Sequence, residues 1–116
     1  MMDQKATLAV SHEKLLAFVG DIMRKMEVPP GDADFISSVL VEADLRGVDS
    51  HGVTRLKGYV DMVDRGFANP MPNISVAAEN GACALLDGDL AFGMLVARQG
   101  MQMAIANAER YGVGMT

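Results

Sequence analysis

Helix-breaking residues divide the first 66 residues of this chain, and that division constrains its fold more than any other feature. The pair Pro29-Pro30 cannot continue a helix, and Gly47 and Gly66 are typical of positions just past a helix end. Between these breaks, apolar residues recur at the three- and four-residue spacing of a helix face, which predicts three consecutive helices. The inward-facing positions predicted by this spacing are Leu15, Val19, Ile22 and Met26 in the first helix, Phe35, Ile36, Val39, Leu40 and Ala43 in the second, and Val53, Leu56, Val60 and Val63 in the third.

Polar residues mark the predicted start of each helix. Ser11 is the predicted cap of the first helix, with His12 on its exposed first turn, and Asp32 and Ser50 are the predicted caps of the second and third. A side-chain oxygen at such a position accepts a hydrogen bond from a free backbone N–H. Residues 1–10 are predicted to be a flexible arm, and residues 11–116 to form one structured region.

After residue 66 the pattern becomes extended. The segments "ISVAAE" (74–79) and "ACALLD" (82–87) are predicted strands, and Asn80-Gly81 between them is a strong hairpin signal. Cys83 stands among small apolar residues, and such a cysteine is typically buried as a small hydrophobe.

The last part of the chain returns to helical spacing, from about Phe92 to Tyr111, with Gly112 as the predicted stop. The chain then reads as the first residues of a further strand, Val113, Met115 and Thr116. The predicted fold class is therefore α+β and helix-rich, with three N-terminal helices, a short β-hairpin and a long helix. Inward-facing candidates in the long helix are Leu95, Val96, Met103, Ile105 and Ala108.

Composition and charge exclude several classes of partner. The net charge is −5, and the 10 basic residues are scattered, whereas a nucleic-acid-binding surface needs clustered Lys and Arg. No segment reaches the roughly 18–20 apolar residues of a membrane span, and the N-terminus lacks the apolar core of a signal peptide. A single cysteine fits a reducing compartment. These features predict a cytoplasmic protein without a nucleic-acid or membrane partner.

Reactive side chains are densest in residues 43–56, "ADLRGVDSHGVTRL", and this segment has two interpretations. In the first, which the residues alone favour, Asp49 and Ser50 only cap the third helix, His51 lies on its surface and Arg55 pairs with an acid such as Asp49. In the second, His51 and Arg55 share a helix face because they are four residues apart. Arginine then offers a planar fork to a carboxylate, and histidine exchanges a proton near neutral pH.

Metal and common nucleotide sites are not predicted. Asp87 and Asp89 lack the further spaced oxygens and terminal glutamate of a calcium loop. Neither G-x-G-x-x-G after a strand nor G-x-x-x-x-G-K-[ST] occurs in the chain.

Four blocks follow one another along the chain: "ADLRGVDSHGVTRL", "G.ANP", "LLDGD..FG" and "A...AERYGVG". In this order and approximate spacing they resemble the N-terminal part of the type-2 malate/L-lactate dehydrogenase family. That family also includes oxidoreductases acting on ureidoglycolate, sulfolactate and cyclic imines. The resemblance runs from about residue 11 onward.

This resemblance implies hydride transfer between NAD or NADP and a small 2-hydroxy or 2-oxo acid, within a larger α/β dehydrogenase of non-Rossmann type. The family's Ser-His-Gly-x-x-Arg motif falls on Ser50, His51, Gly52 and Arg55. By resemblance, His51 and Ser50 are catalytic candidates beside the substrate, and Arg55 binds the substrate carboxylate. The resemblance also implies a homodimer or higher homo-oligomer, and it assigns no cofactor-binding residue within residues 11–116, the substrate-side region.

One departure from the family is large. The family's usual acid/base histidine lies in an "S-x-H-F-G"-like segment soon after "YGVG", whereas the sequence here runs to Thr116. The isolated chain is therefore expected not to catalyse turnover. Two alternatives to an enzyme fragment are a stand-alone helical module that associates through its apolar helix faces, and a decayed dehydrogenase.

Overall fold

The computed structural model describes residues 9–116, so nearly all of the predicted flexible arm lies outside the described residues. Four α-helices and one hairpin make up the fold, which confirms the helix-rich α+β prediction. The elements are α1 (His12–Lys25), α2 (Pro30–Leu45), α3 (Leu56–Asp64), β1 (Ser75–Asn80), β2 (Cys83–Asp87) and α4 (Gly93–Tyr111), with two 3₁₀ turns, Asp49–His51 and Val53–Arg55, before α3.

The core lies between α1 and α2 and is closed by the start of α3 and the start of α4. Val19 and Met23 of α1 and Ile36 and Leu40 of α2 are almost completely buried. Phe92 and Leu95 complete the same cluster from the other end of the chain. The positions predicted to face inward that are fully buried are Val19, Ile36, Leu40, Leu56 and Leu95. The other positions predicted to face inward are half-buried, apart from Ile105, and this burial confirms the helical spacing.

Ile105 is the exception, because 53% of its side-chain surface is exposed. Leu95 joins the core, and Met103 and Ala108 are half-buried, whereas Ile105 lies on the exposed side of the same helix. The prediction that Ile105 faces inward is therefore wrong.

The first two helix starts differ in how well the sequence predicts them. Ser11 caps α1 and accepts a hydrogen bond from the Lys14 N–H at 3.3 Å, and His12 is exposed, as predicted. The second helix begins at Pro30, two residues before the predicted cap Asp32. Proline fits the first helical position because its missing N–H would have no partner there. Asp32 instead lies in the first turn and forms an ion pair with Arg98 of α4 at 2.8 Å.

The third helix begins at Leu56, so the prediction that Ser50 caps it is wrong. Residues 49–55 form two 3₁₀ turns, and Gly52 between them is extended, with φ −89° and ψ −151°. Residues 50–55 therefore do not form the first turns of a continuous α-helix. The Val53 N–H, which the Ser50 side chain would bind in the predicted helix, instead donates to the carboxylate of Asp44 at 2.9 Å.

The two strands form the predicted antiparallel hairpin. Asn80 pairs with Cys83, and Gly81 takes a φ of +58°, a left-handed conformation that glycine adopts without steric cost. Cys83 is exposed, so its predicted burial is wrong. The reason is the position of the hairpin, which lies outside the helical core with every residue of β1 exposed.

The residues after α4 form the predicted start of a further strand. Met115 makes a parallel bridge to Cys83: its N–H donates to the Ala82 carbonyl and its carbonyl accepts from the Ala84 N–H, both at 2.9 Å. Strand β2, helix α4 and Met115 thus form a parallel β-α-β connection.

The loop after α3 and the turn after β2 are joined through Asp89. Its carboxylate accepts hydrogen bonds from the Asn69 side-chain amide at 3.0 Å and from the Asn73 N–H at 2.8 Å. The Asn69 N–H also donates to the Leu90 carbonyl at 2.9 Å. In the part of the chain that the structure describes, no helix is long and apolar enough to cross a membrane.

Candidate functional site

The candidate site is carried by the tight turns that follow α2. Gly47, with φ +73°, ends that helix, and the Val48 N–H donates back to the Ala43 carbonyl at 2.8 Å. This is the pattern of a helix C-terminus closed by a left-handed glycine. The chain therefore leaves α2 in a fixed direction, and the 3₁₀ turn of Asp49–His51 follows at once.

Ser50 and His51 are in contact. The Ser50 Oγ lies 2.9 Å from Nδ1 of the adjacent imidazole, and both residues are exposed. In the tautomer with Nδ1 unprotonated, the Ser50 hydroxyl donates to Nδ1, and the Nε2–H of the ring is left to donate to a ligand. In the other tautomer Nδ1–H donates to Ser50, and Nε2 can accept a proton. The hydroxyl therefore orients the ring and lets Nε2 act either as a donor or as an acceptor.

Arg55 ends the second 3₁₀ turn, where its N–H donates to the Gly52 carbonyl at 3.0 Å. Its side chain lines a cleft of 320 Å³ on the exposed side of α3. Within residues 9–116 it forms no ion pair, so the predicted pairing with Asp49 is not formed. An arginine fork without an acid partner at an open cleft can bind a carboxylate in bidentate geometry. The other lining residues are Thr54, Gly58, Tyr59 and Met62.

The argument that places His51 and Arg55 on one helix face is wrong. The two residues lie on separate 3₁₀ turns with the extended Gly52 between them. The structure brings Ser50 and His51 together and places Arg55 on the next turn. Their roles toward a substrate stay predictions.

Two residues near the site were not predicted from the sequence. Tyr59 lines the Arg55 cleft, and its ring packs edge-on against Phe92 with centroids 5.5 Å apart. Its four-residue spacing from Arg55 is the signal that could have found it. Asp44 is the other, and nine residues separate it from the N–H it binds, so no local pattern reveals that contact.

Neighbouring charges on α3 are paired. Lys57 Nζ lies 2.8 Å from Asp61 Oδ2, one helical turn away. This hydrogen bond lowers the pKa of the Asp61 carboxyl below its ordinary value and raises the pKa of Lys57 above its own. Of the two cations at residues 55 and 57, only Arg55 lines the cleft and has no acid partner among the described residues.

One turn within residues 9–116 is unsuited to the pyrophosphate of a dinucleotide. The turn that precedes α4 carries Asp87 and Asp89 and no cation, so it would repel a pyrophosphate. No group of three or more His, Cys, Asp or Glu side chains that could hold a metal ion exists within residues 9–116.

Comparison with known proteins now decides the family. The model of the malate/L-lactate dehydrogenase family matches residues 10–116. The chain belongs to this family. This membership confirms the resemblance found in the sequence blocks.

The malate/L-lactate dehydrogenase relatives match the chain over most of its length. A malate dehydrogenase from Pyrococcus horikoshii is 42% identical over 108 residues, which cover 93% of this chain and 30% of that protein. An L-sulfolactate dehydrogenase from Methanocaldococcus jannaschii is 40% identical over 95 residues, covering 82% of this chain and 28% of the relative. The chain thus spans about 30% of the length of these relatives and corresponds to their N-terminal portion.

Solved structures show the same relationship. The structure of the Pyrococcus horikoshii malate dehydrogenase superposes with a TM-score of 0.88, covering 92% of this chain and 31% of that chain. The four helices and the hairpin described above are therefore the N-terminal part of the family's fold.

Proposed function

We propose that this chain is the substrate-side, N-terminal portion of an oxidoreductase that transfers a hydride between NAD or NADP and a small 2-hydroxy or 2-oxo acid of malate/lactate type. Family membership supports the reaction class. The observation that carries the substrate class is Arg55, which lines an open cleft without an acid partner among the described residues, one turn from the Ser50–His51 contact.

The residues of this chain act on the substrate side. Arg55 holds the carboxylate through its planar fork, which fixes the orientation of the neighbouring C2 atom. His51 hydrogen-bonds to the C2 oxygen and helps to withdraw the proton of a hydroxyl, or to polarise a carbonyl. Ser50 orients the His51 ring through the 2.9 Å contact. In the whole protein, a bound nicotinamide would supply the hydride-transfer chemistry at C2.

The same proposal includes the setting of the enzyme. It acts in the cytoplasm on a small carboxylate, as a homodimer or higher homo-oligomer. A single cysteine and scattered basic residues support a reducing compartment and a small-molecule partner.

A direct test titrates the isotope-labelled chain with L-lactate and follows the NMR signals of His51 and Arg55. We expect shifts that saturate, and 1,2-propanediol, in which a hydroxymethyl group replaces the carboxylate, should cause none. Arg55→Ala should weaken L-lactate binding by about tenfold or more, because a hydrogen bond to a charged group contributes about 1.5–3 kcal/mol. L-Lactate shifts that persist unchanged in Arg55→Ala would contradict the role given to this side chain.

A turnover assay tests the expectation that the chain is inactive alone. Purified chain mixed with NADH or NADPH and pyruvate should show no loss of absorbance of the reduced cofactor. Consumption above the rate without protein would show that the described residues suffice for catalysis.

A second candidate function is self-association as a helical assembly module. An apolar groove of 620 Å³ between β2, α4 and residues 114–116 favours it, and its rim includes the exposed Leu85, Met101 and Met115. Sedimentation equilibrium and the L-lactate titration together distinguish the two, because both proposals include self-association: a chain that self-associates and does not respond to L-lactate is a module rather than a substrate-side fragment.

A further inference from the structure

We infer that Asp44 is a positioning residue, whose carboxylate fixes the two turns that carry Ser50, His51 and Arg55. This inference rests on the proposed function. Asp44 lies in the last turn of α2, and its Oδ2 accepts a hydrogen bond from the Val53 N–H at 2.9 Å. The bond ties the end of one helix to the point where the second 3₁₀ turn begins.

The carboxylate also packs on Gly52. A Cβ built at Gly52 would overlap Asp44, and even Oδ2, the carboxylate oxygen farther from it, would lie only 2.7 Å away. Gly52 itself is buried although its neighbours Ser50, His51 and Arg55 are exposed. The Asp44 carboxylate therefore occupies the space that a side chain at Gly52 would need, and it also accepts the hydrogen bond from the Val53 N–H.

This junction sets the relative position of the candidate site residues. His51 precedes it and Arg55 follows it, so any rotation of the Gly52–Val53 peptide moves one relative to the other. No other side chain among residues 9–116 hydrogen-bonds to this peptide unit. The turn is exposed, so water could satisfy the Val53 N–H if Asp44 were absent, but water would not hold the peptide in one orientation.

Loss of the contact should therefore impair substrate binding as well as the local stability of the turns. Productive alignment of a substrate carboxylate and its C2 oxygen requires both side chains in place, and small misplacements are costly. Asp44 does not line the cleft beside Arg55, so its effect passes through the backbone.

The test compares Asp44→Ala, Asp44→Asn and the matched control Asp64→Ala in the isotope-labelled full chain. Asp64 is an exposed aspartate at the end of α3, and within residues 9–116 its carboxylate forms no hydrogen bond. Asparagine keeps an oxygen that can accept from Val53 but removes the charge. Two quantities are measured: the exchange rate of the Val53 amide proton and the L-lactate dissociation constant from the Arg55 signals.

Asp44→Ala should accelerate Val53 exchange and weaken L-lactate binding, each by about tenfold, whereas Asp44→Asn should restore both to within about threefold. Asp64→Ala should match the wild type in both. An unchanged Val53 exchange rate in Asp44→Ala would overturn the inference, and so would an Asp44→Asn variant as impaired as Asp44→Ala.

Failure of the proposed function gives a different result. If the wild-type chain does not respond to L-lactate, the proposed function fails while the Val53 exchange still decides the positioning. In that case Asp44→Ala should shift the His51 and Arg55 signals and leave those of α1 in place. Signals of His51 and Arg55 that stay unmoved would show that Asp44 positions neither.

Discussion

Substitution of Gly52 by alanine should destabilise this chain strongly, because the added methyl group has no room. The new Cβ would overlap the Asp44 carboxylate, whereas real Cβ atoms essentially never approach another heavy atom closer than 3.0 Å. Gly52 is buried between two tight turns, so the backbone has little freedom to withdraw. The carboxylate must move instead, and its hydrogen bond to the Val53 N–H is then lost.

The magnitude follows from these two losses. Overpacking of a filled site costs about 1–3 kcal/mol, and a hydrogen bond to a charged group contributes about 1.5–3 kcal/mol. One displacement of Asp44 produces both effects, so they overlap, and we expect a loss of about 2–4 kcal/mol in the free energy of unfolding. At about 4 °C per kcal/mol for a chain of this size, the melting temperature should fall by roughly 8–16 °C.

Thermal unfolding followed by circular dichroism measures this change, and Gly58→Ala is the matched control. Gly58 lies inside α3, and a Cβ there would have no neighbour within 4 Å. Alanine in a helix interior is more favourable than glycine by about 0.5–1 kcal/mol. The control should therefore melt at the same temperature as the wild type or a few degrees higher.

A double-mutant cycle with Asp44→Ala tests the cause. Removal of the carboxylate leaves space for the methyl group, so Gly52→Ala should cost much less in the Asp44→Ala background. We expect a coupling energy of about 1–3 kcal/mol. Additive losses would refute the reasoning, because they would mean that the cost of the methyl group does not arise from the Asp44 carboxylate.

Three further predictions concern the rest of the chain. Met23→Ala should lower the free energy of unfolding by about 2–5 kcal/mol in urea titrations, because this fully buried side chain would leave a cavity; a loss under 1 kcal/mol would contradict the described core. Cys83 is exposed, so a dithiopyridine reagent should label one thiol per native chain without denaturant, and labelling only after unfolding would contradict that exposure. Lys57→Ala should raise the pKa of Asp61 toward its ordinary value in carboxyl NMR titrations, since the hydrogen bond from Lys57 lowers it. The stability that this lowered pKa supplies is present above the unfolded-state pKa of Asp61 and is lost as pH falls through the folded-state value, so the variant should lose this pH dependence.

The local sequence pattern predicted the structure correctly where contacts between nearby residues determine it. Ser11 caps α1, and Gly112 ends α4, as the sequence predicts, because each acts on backbone groups within four residues. The hairpin at Asn80-Gly81 was predictable for the same reason. Apolar spacing also identified most of the core, since the period of a helix decides which positions share a face.

The local sequence pattern gave wrong predictions where contacts with residues distant in the sequence determine the structure. Ser50 is a residue type that commonly caps helices, but the Val53 N–H that it would bind donates to the Asp44 carboxylate instead, and two 3₁₀ turns precede α3. Cys83 and Ile105 have apolar neighbours in the sequence, and their exposure depends on where the hairpin and the end of α4 lie relative to the core. The same holds for the candidate site. The residue types alone indicated Ser50, His51 and Arg55, whereas the hydrogen bond between Asp44 and the Val53 N–H joins residues nine positions apart and was not predictable from a local pattern.

The family was nevertheless visible in the sequence, and the structure explains why. The four sequence blocks contain positions where few residue types fit: Gly52 packs against Asp44, and a Cβ at Gly114 would overlap the carbonyl oxygen of Ala104. Asn69 of the second block is bound by Asp89 of the third, which joins two loops through side-chain and backbone hydrogen bonds. All four blocks thus build the scaffold, and only the first also carries the candidate site side chains. The blocks that identify the family are therefore determined mainly by close packing. The chemistry of Ser50, His51 and Arg55 has to be tested by substitution of those side chains.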